Sequence, residues 1–224
     1  MRAELEALLA AAGVDDRIVS RLALYGARVL EANRSFNLTG AKSALELTPH
    51  LVDSLTVVPY VGDTLIDVGS GAGLPGIPVA IATGAPITLI ESTAKKARFL
   101  QRALAEFALA GEVVAARAEV AARDDRLRDA FASGTARAVS TAPAVAELLL
   151  PFIKPGGVAI LQRGTMDERE RTALADATLV LAGEIAQEVP LAGDRRIILV
   201  RKTGATPLRF PRRTGIPEKR PLCS

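Results

Sequence analysis

The stretch Asp67-Val-Gly-Ser-Gly-Ala-Gly-Leu-Pro-Gly76 constrains the fold more than any other feature of the chain. It follows a short β-prone run, Thr64 to Val68, and leads into an apolar helix over Pro75 to Ala82. Glycines there let the backbone take positive φ and approach a ligand closely. The helix N-terminus that follows gathers free N–H groups and the positive end of the dipole. The same alternation continues down the chain. Ile87 to Glu91 predicts a second strand and Ala94 to Ala108 a helix, with Ala97, Leu100, Leu104 and Phe107 on one face. Glu112 to Ala116 and Ala136 to Ser140 predict a third and a weaker fourth strand. A helix over Ala144 to Leu150 and Lys154-Pro-Gly-Gly157 lead to a fifth at Val158 to Leu161. Strands alternating with helices predict a mainly parallel sheet covered on both faces, with ligands bound at the carboxyl ends of its strands. Glu184 to Val189 and Arg196 to Val200 predict a hairpin at the sheet edge.

The first 60 residues read differently. Ile18, Leu22, Tyr25 and Val29 recur at helical spacing, with Asp15 and Asp16 placed to cap the start. Asn33 to Gly40 breaks that pattern with turn-formers, and a short helix is expected from His50 to Val58. The organisation expected is an N-terminal helical segment (1–60) over the substrate side, a Rossmann-like α/β domain (61–203) and a basic tail (204–224).

The single cysteine, Cys223, excludes a disulfide framework or a multi-thiol metal site. No targeting segment and no bilayer-length apolar run is visible, so a cytoplasmic protein with no membrane partner is expected. The net charge is only +3, but seven of the residues from Arg201 to Arg220 are Lys or Arg. They predict either a phosphate-contacting surface or a solvated end, and charge alone does not decide between them.

The glycine stretch fits two ligands. Gly71-Ala-Gly73-Leu-Pro-Gly76 satisfies the dinucleotide pattern, with Glu91 about 20 residues on, so an NAD-dependent oxidoreductase is one reading. Asp67 favours S-adenosylmethionine instead: a carboxylate two residues before Gly69 repels a pyrophosphate but not the cationic methionine end. Glu91 serves either ligand, since a carboxylate accepts both ribose hydroxyls. A non-enzymatic RNA-binding module is a third reading, supported by the basic tail and opposed by the glycine pocket.

Four blocks carry a closer resemblance: Asn33-Arg-Ser-Phe-Asn-Leu-Thr39, His50-Leu-Val-Asp-Ser-Leu55, Asp67 to Ala80, and Lys95-Lys-Ala-Arg-Phe-Leu100. Weaker matches are Arg117-Ala-Glu119, Ala136-Arg-Ala138 and Phe210 to Pro217. Together they resemble the bacterial family of ribosomal RNA small-subunit methyltransferase G. The resemblance implies a class I S-adenosylmethionine-dependent fold and methylation of a guanine N7 in 16S ribosomal RNA. The expected partner is that RNA or the assembling small subunit; no DNA is expected. It further implies that Gly69 and Leu74 line the cofactor pocket, Gly71 and Gly73 shape its loop, and Glu91 holds the ribose. Ala118 and Glu119 would contact the adenine and Arg137 would lie beside the cofactor near the target base. Asn37, His50 and Asp53 would lie on the substrate side. Arg163, in Leu161-Gln-Arg-Gly164, stands where relatives often have Lys. Guanine N7 carries a free lone pair, so its methylation needs no general base, and His50 is expected to position RNA, with Asp53 anchoring it or capping the helix.

Overall fold

The computed structural model describes residues 1–137 and 140–223. Nine α-helices and seven strands are formed among them. The strands are β1 (Leu65–Val68), β2 (Ile87–Ile90), β3 (Gly111–Val114), β4 (Phe131–Arg137), β5 (Ile153–Arg163), β6 (Gly183–Pro190) and β7 (Arg196–Lys202). They form one sheet in the order β3-β2-β1-β4-β5-β7-β6. The first five run parallel, while β7 lies antiparallel between β5 and β6. The predicted edge hairpin is therefore present, with its second strand inserted next to β5.

Before the sheet come α1 (Arg2–Ala11), α2 (Asp16–Asn33) and α3 (Ala44–Leu55). Asp15 caps α2 by accepting the Arg17 N–H at 2.9 Å. The helix expected from His50 starts earlier, at Ala44. Ser43 accepts the Glu46 N–H and Glu46 reaches back to the Lys42 N–H at 2.8 Å, a variant of the reciprocal cap that pins a helix start. Pro49 sits inside this helix, which ends at Leu55 rather than Val58.

Between the strands run α4 (Gly76–Thr83), α5 (Ala94–Glu106), α6 (Ala118–Ala121), α7 (Ala142–Leu149) and α8 (Glu168–Val180); α9 (Ile216–Lys219) lies near the C-terminus. One apolar cluster joins α1 to α5 to one side of the sheet, through Leu5, Leu22, Tyr25, Leu65, Ile77 and Leu100. A second joins α6, α7 and α8 to the other side, through Ile66, Ala121, Val145, Leu148 and Leu174. The N-terminal helices thus share their core with the sheet.

The fourth strand begins at Phe131 rather than Ala136. The expectation of Ala136 to Ser140 overlaps it at Ala136 and Arg137; Ala138 and Val139 lie outside the described residues, and Ser140 is in a bend. Phe131 to Thr135 includes Ala, Ser and Gly, so its strand character comes from pairing with β1 and β5 rather than from β-propensity.

Candidate active site

The carboxyl ends of β1, β2 and β4 bring the glycine loop, Glu91 and Arg137 to one edge of the sheet. Gly69, Gly71 and Gly73 all adopt left-handed backbone, with φ between 55° and 72°. At Gly73 the reason is packing as well as φ. A Cβ there would stand 2.5 Å from the Tyr25 hydroxyl, 2.7 Å from Ile77 and 2.9 Å from Leu100. Tyr25 is fully buried and its hydroxyl donates to the Ala72 carbonyl, so helix α2 fastens the loop from beneath.

The loop's N–H groups are largely engaged within the protein. Those of Gly69 and Ser70 go to the Ile90 carbonyl, Gly71 to Glu91, Gly73 to the Ser70 carbonyl and Gly76 to Asp67. A pyrophosphate-binding loop keeps such groups free for phosphate oxygens. This one presents carboxylates instead, which argues against the NAD reading.

Glu91 is buried and accepts N–H bonds from Gly71 at 2.9 Å and Thr93 at 2.6 Å. Each oxygen retains a second lone pair. A small pocket beside it, about 100 Å³, is lined by Gly69, Glu91, Ala118, Glu119 and Glu218 among others. Leu74 is buried beside the glycines. Asp67 is 1% exposed; one oxygen accepts the Gly76 N–H at 3.3 Å and the other, Oδ1, has no partner. Burial pushes its carboxyl up to about 7, opposed by the Gly76 N–H and the nearby charge of Arg137.

A wider cleft, about 960 Å³, lies between α3, the loop after α2 and the carboxyl ends of β4 and β5. His50, Asp53, Arg137 and Arg163 all line it, joined by Gln162, Arg195 and Arg196. Asp53 is its hub. Its carboxylate receives Arg137 at 3.2 Å, Gln162 at 3.3 Å and the Arg195 guanidinium. The expectation that Asp53 anchors His50 is thus replaced by a different arrangement, in which two guanidiniums take its two oxygens. Arg137 also donates to the His50 carbonyl at 3.3 Å. The imidazole's pKa is lowered, first by desolvation and then by Arg137, which favours its neutral form. Arg163 braces the walls, donating to the Ser140 carbonyl at 2.6 Å and to Glu170 at 3.0 Å. Its Nε is buried without a partner, as is Nε of Arg196. Asn37 is exposed on the loop whose Thr39 and Gly40 line the cleft.

Gln162, Arg195 and Arg196 were not singled out from sequence. Their signal lies in strand register: β7 runs antiparallel to β5 and sets Arg196 opposite Arg163, which composition does not reveal.

The basic tail is tied down. Lys202 is buried and pairs with Asp129 at 2.6 Å, Arg201 pairs with Glu184, and Arg209 lies over the Phe210 ring. Arg128 donates to the carbonyls of Thr206 and Phe210 at 2.8 and 3.0 Å. Arg212 grips the fully buried Glu147 with both its backbone N–H and its guanidinium, at 2.6–3.0 Å. Gly215 donates its N–H to Glu119 at 2.7 Å, so the tail closes one side of the Glu91 pocket. Among the described residues, only Arg209, Arg213, Lys219 and Arg220 of the seven tail bases lack an acid partner.

Known proteins share the sequence pattern and the fold of this chain. The family described as rRNA small subunit methyltransferase G matches residues 18–198. The ribosomal RNA small subunit methyltransferase G of Pelotomaculum thermopropionicum is 37% identical over 221 residues, covering 93% of this chain and 92% of its own. That of Synechococcus elongatus is 40% identical over 207 residues, covering 87% and 86%. Among solved structures, the O-methyltransferase from Bacillus cereus in complex with SAH superposes with a TM-score of 0.57 at 20% identity, over 80% of this chain and 91% of that one. The fold is that of class I S-adenosylmethionine-dependent methyltransferases. With a match that spans the glycine loop, the Asp53 hub and most of the sheet, the chain belongs to the rRNA small subunit methyltransferase G family.

Proposed function

We propose that this chain methylates N7 of a guanine in 16S ribosomal RNA, in the cytoplasm, with S-adenosylmethionine as donor. The observation that carries the reading is a glycine loop held by carboxylates at the same sheet edge as an arginine-rich cleft, one of whose guanidiniums, Arg137, is near enough to Asp67 for its charge to act there. The residues present fit the cofactor. Glu91 has lone pairs free for ribose hydroxyls; Ala118 and Glu119 line the same pocket and would meet the adenine, with Gly69 on the loop side and Leu74 buried beside it. The buried, partnerless Oδ1 of Asp67 suits a cationic group. Bound there, S-adenosylmethionine supplies an activated methyl on a sulfonium. The N-terminal segment then covers the substrate side, with Asn37, His50, Asp53 and Arg163 positioning RNA.

Guanine N7 attacks with its own lone pair, so these residues orient the base and exclude water rather than remove a proton. Asp53 holds the Arg137 and Arg195 guanidiniums in fixed positions toward an anionic ligand. The reading is tested by incubating the purified protein with labelled S-adenosylmethionine and small-subunit RNA lacking the modification. Label recovered as 7-methylguanine is expected; binding of NAD instead, or no transfer, contradicts it.

Asp67 gives a pH signature. Its pKa is raised, so between pH about 4 and about 7 the folded protein keeps a proton that the unfolded chain has released. Its contribution to stability therefore falls as pH rises through that window. A cationic ligand beside it favours the ionised form, so cofactor binding at pH 6 is expected to release a proton and to tighten toward pH 7. Calorimetry in buffers of different ionisation enthalpy reads that release, which Asp67→Asn is expected to abolish. Binding with no proton release in the wild type would remove Asp67 from the cofactor's surroundings.

His50 separates positioning from acid–base chemistry. A general base typically contributes 10²- to 10⁴-fold and leaves its pKa in the rate profile. His50→Asn is expected to keep turnover at saturating RNA, with loss confined to RNA affinity. A wild-type inflection below the ordinary imidazole range that vanishes in the variant, with a loss above about 10²-fold, would make His50 an acid–base catalyst.

A further inference from the structure

A second cationic groove, about 670 Å³, lies outside this site, between α2 and α5. Arg28, Phe36, Lys95, Arg98, Phe99 and Arg102 line it. Arg28 is held by Glu31 at 3.1 Å and Glu106 at 2.8 Å. Lys95, Arg98 and Arg102 are exposed, and no acid among the described residues pairs with them. Their spacing of three and four residues places them on one face of α5, where like charges repel one another. Three unpaired cations so arranged fit an anion from outside. Phe36 and Phe99 are half-buried in the same groove. Cations interleaved with aromatics match a strand with charged phosphates and unpaired bases, whereas a phosphate alone leaves the rings without a role.

One loop borders both the groove and the cleft. The loop after α2 places Phe36 in the groove and, three residues on, Thr39 in the cleft. Asn33 fixes its shape: its side chain accepts the Leu38 and Thr39 N–H groups at 2.8 and 2.9 Å and donates to the Ala41 carbonyl at 2.9 Å. A strand leaving the cleft over this braced loop arrives at Phe36.

We propose that the α2–α5 groove binds the single-stranded RNA flanking the target base, with Lys95, Arg98 and Arg102 on phosphates and Phe36 and Phe99 stacked on bases. The inference rests on the RNA substrate proposed above.

The test titrates the full chain with a fluorescent single-stranded RNA of about 16 nucleotides, the upper end of what such a platform covers. R98Q/R102Q is expected to flatten the slope of log affinity against log salt by about 1.4, at about 0.7 for each phosphate left without its cation. Phe36→Leu keeps apolar bulk but loses stacking, and is expected to weaken binding roughly five- to 150-fold. Both variants should melt as the wild type does and bind S-adenosylmethionine equally well. Wild-type affinity and salt slope in both variants, beside a wild type that binds and methylates RNA, overturn this inference alone. Duplex RNA that binds as tightly and responds equally to Phe36→Leu overturns it too, because stacking needs unpaired bases. A wild type that neither binds nor methylates RNA overturns the proposed function, and the groove's role with it.

Discussion

Arg212→Ala is expected to lower stability by about 3–5 kcal/mol, because it leaves the Glu147 carboxylate buried without a counter-charge. Glu147 is fully buried on α7, and the Arg212 guanidinium supplies three of the four hydrogen bonds it receives. For a chain of this size that corresponds to roughly 6–20 °C in Tm. The double variant Glu147→Ala/Arg212→Ala should lose less than the sum of the single losses, since the two side chains form one interaction. Thermal melts of the three variants decide it; an Arg212→Ala protein melting within about 2 °C of wild type would show that the tail is not structural. Deleting the basic tail would remove a strap that braces α7 and the Glu91 pocket, so loss of RNA binding in a truncated chain says nothing about phosphate contacts. Arg213, Lys219 and Arg220, which carry no acid partner among the described residues, are the positions to neutralise for that question.

Gly73→Ala is expected to abolish high-affinity cofactor binding. Two effects add: a φ of +72°, and a Cβ driven to 2.5 Å from the Tyr25 hydroxyl and 2.7 Å from Ile77. Left-handed backbone costs a non-glycine residue about 1–2 kcal/mol, and overpacking adds about 1–3 kcal/mol. The glycine loop can relieve the overlap by moving away from Tyr25, which displaces Gly71 from Glu91, and affinity is expected to fall roughly a hundredfold. Gly84→Ala isolates the backbone effect: its φ is +73°, yet nothing lies within 4 Å of the added Cβ. It should lose about 1–2 kcal/mol of stability and no cofactor affinity. Equal cofactor affinity in Gly73→Ala and wild type would show that the loop does not form the pocket.

The glycine-loop side of the candidate site was largely legible in the sequence because its geometry is local. Asp67, the glycines and Glu91 sit at the ends of two consecutive strands, and a strand–turn–helix pattern fixes where such residues go. The cleft around Asp53 is not local. Asp53 comes from α3, Arg137 from β4, Gln162 from β5 and Arg195 from the hairpin, and only the sheet order brings them together. Arg195 illustrates the difficulty: its partner Asp53 is 142 residues away. The start of α3 was missed for a smaller reason, since Ser43 and Glu46 cap a helix that Pro49 interrupts in sequence but not in space. The tail's role was hidden because a run of basic residues reads alike whether it faces water, phosphate or a buried Glu147.

One measurement reaches the central claim most directly: mass mapping of methylated nucleotides in 16S ribosomal RNA from a strain lacking this protein, before and after the purified protein and S-adenosylmethionine are added. The proposed activity predicts one guanine whose N7 methyl is absent beforehand and restored afterwards, and restored by neither Glu91→Ala nor Gly73→Ala protein. A methyl restored on another atom or another RNA, or none restored at all, would contradict it.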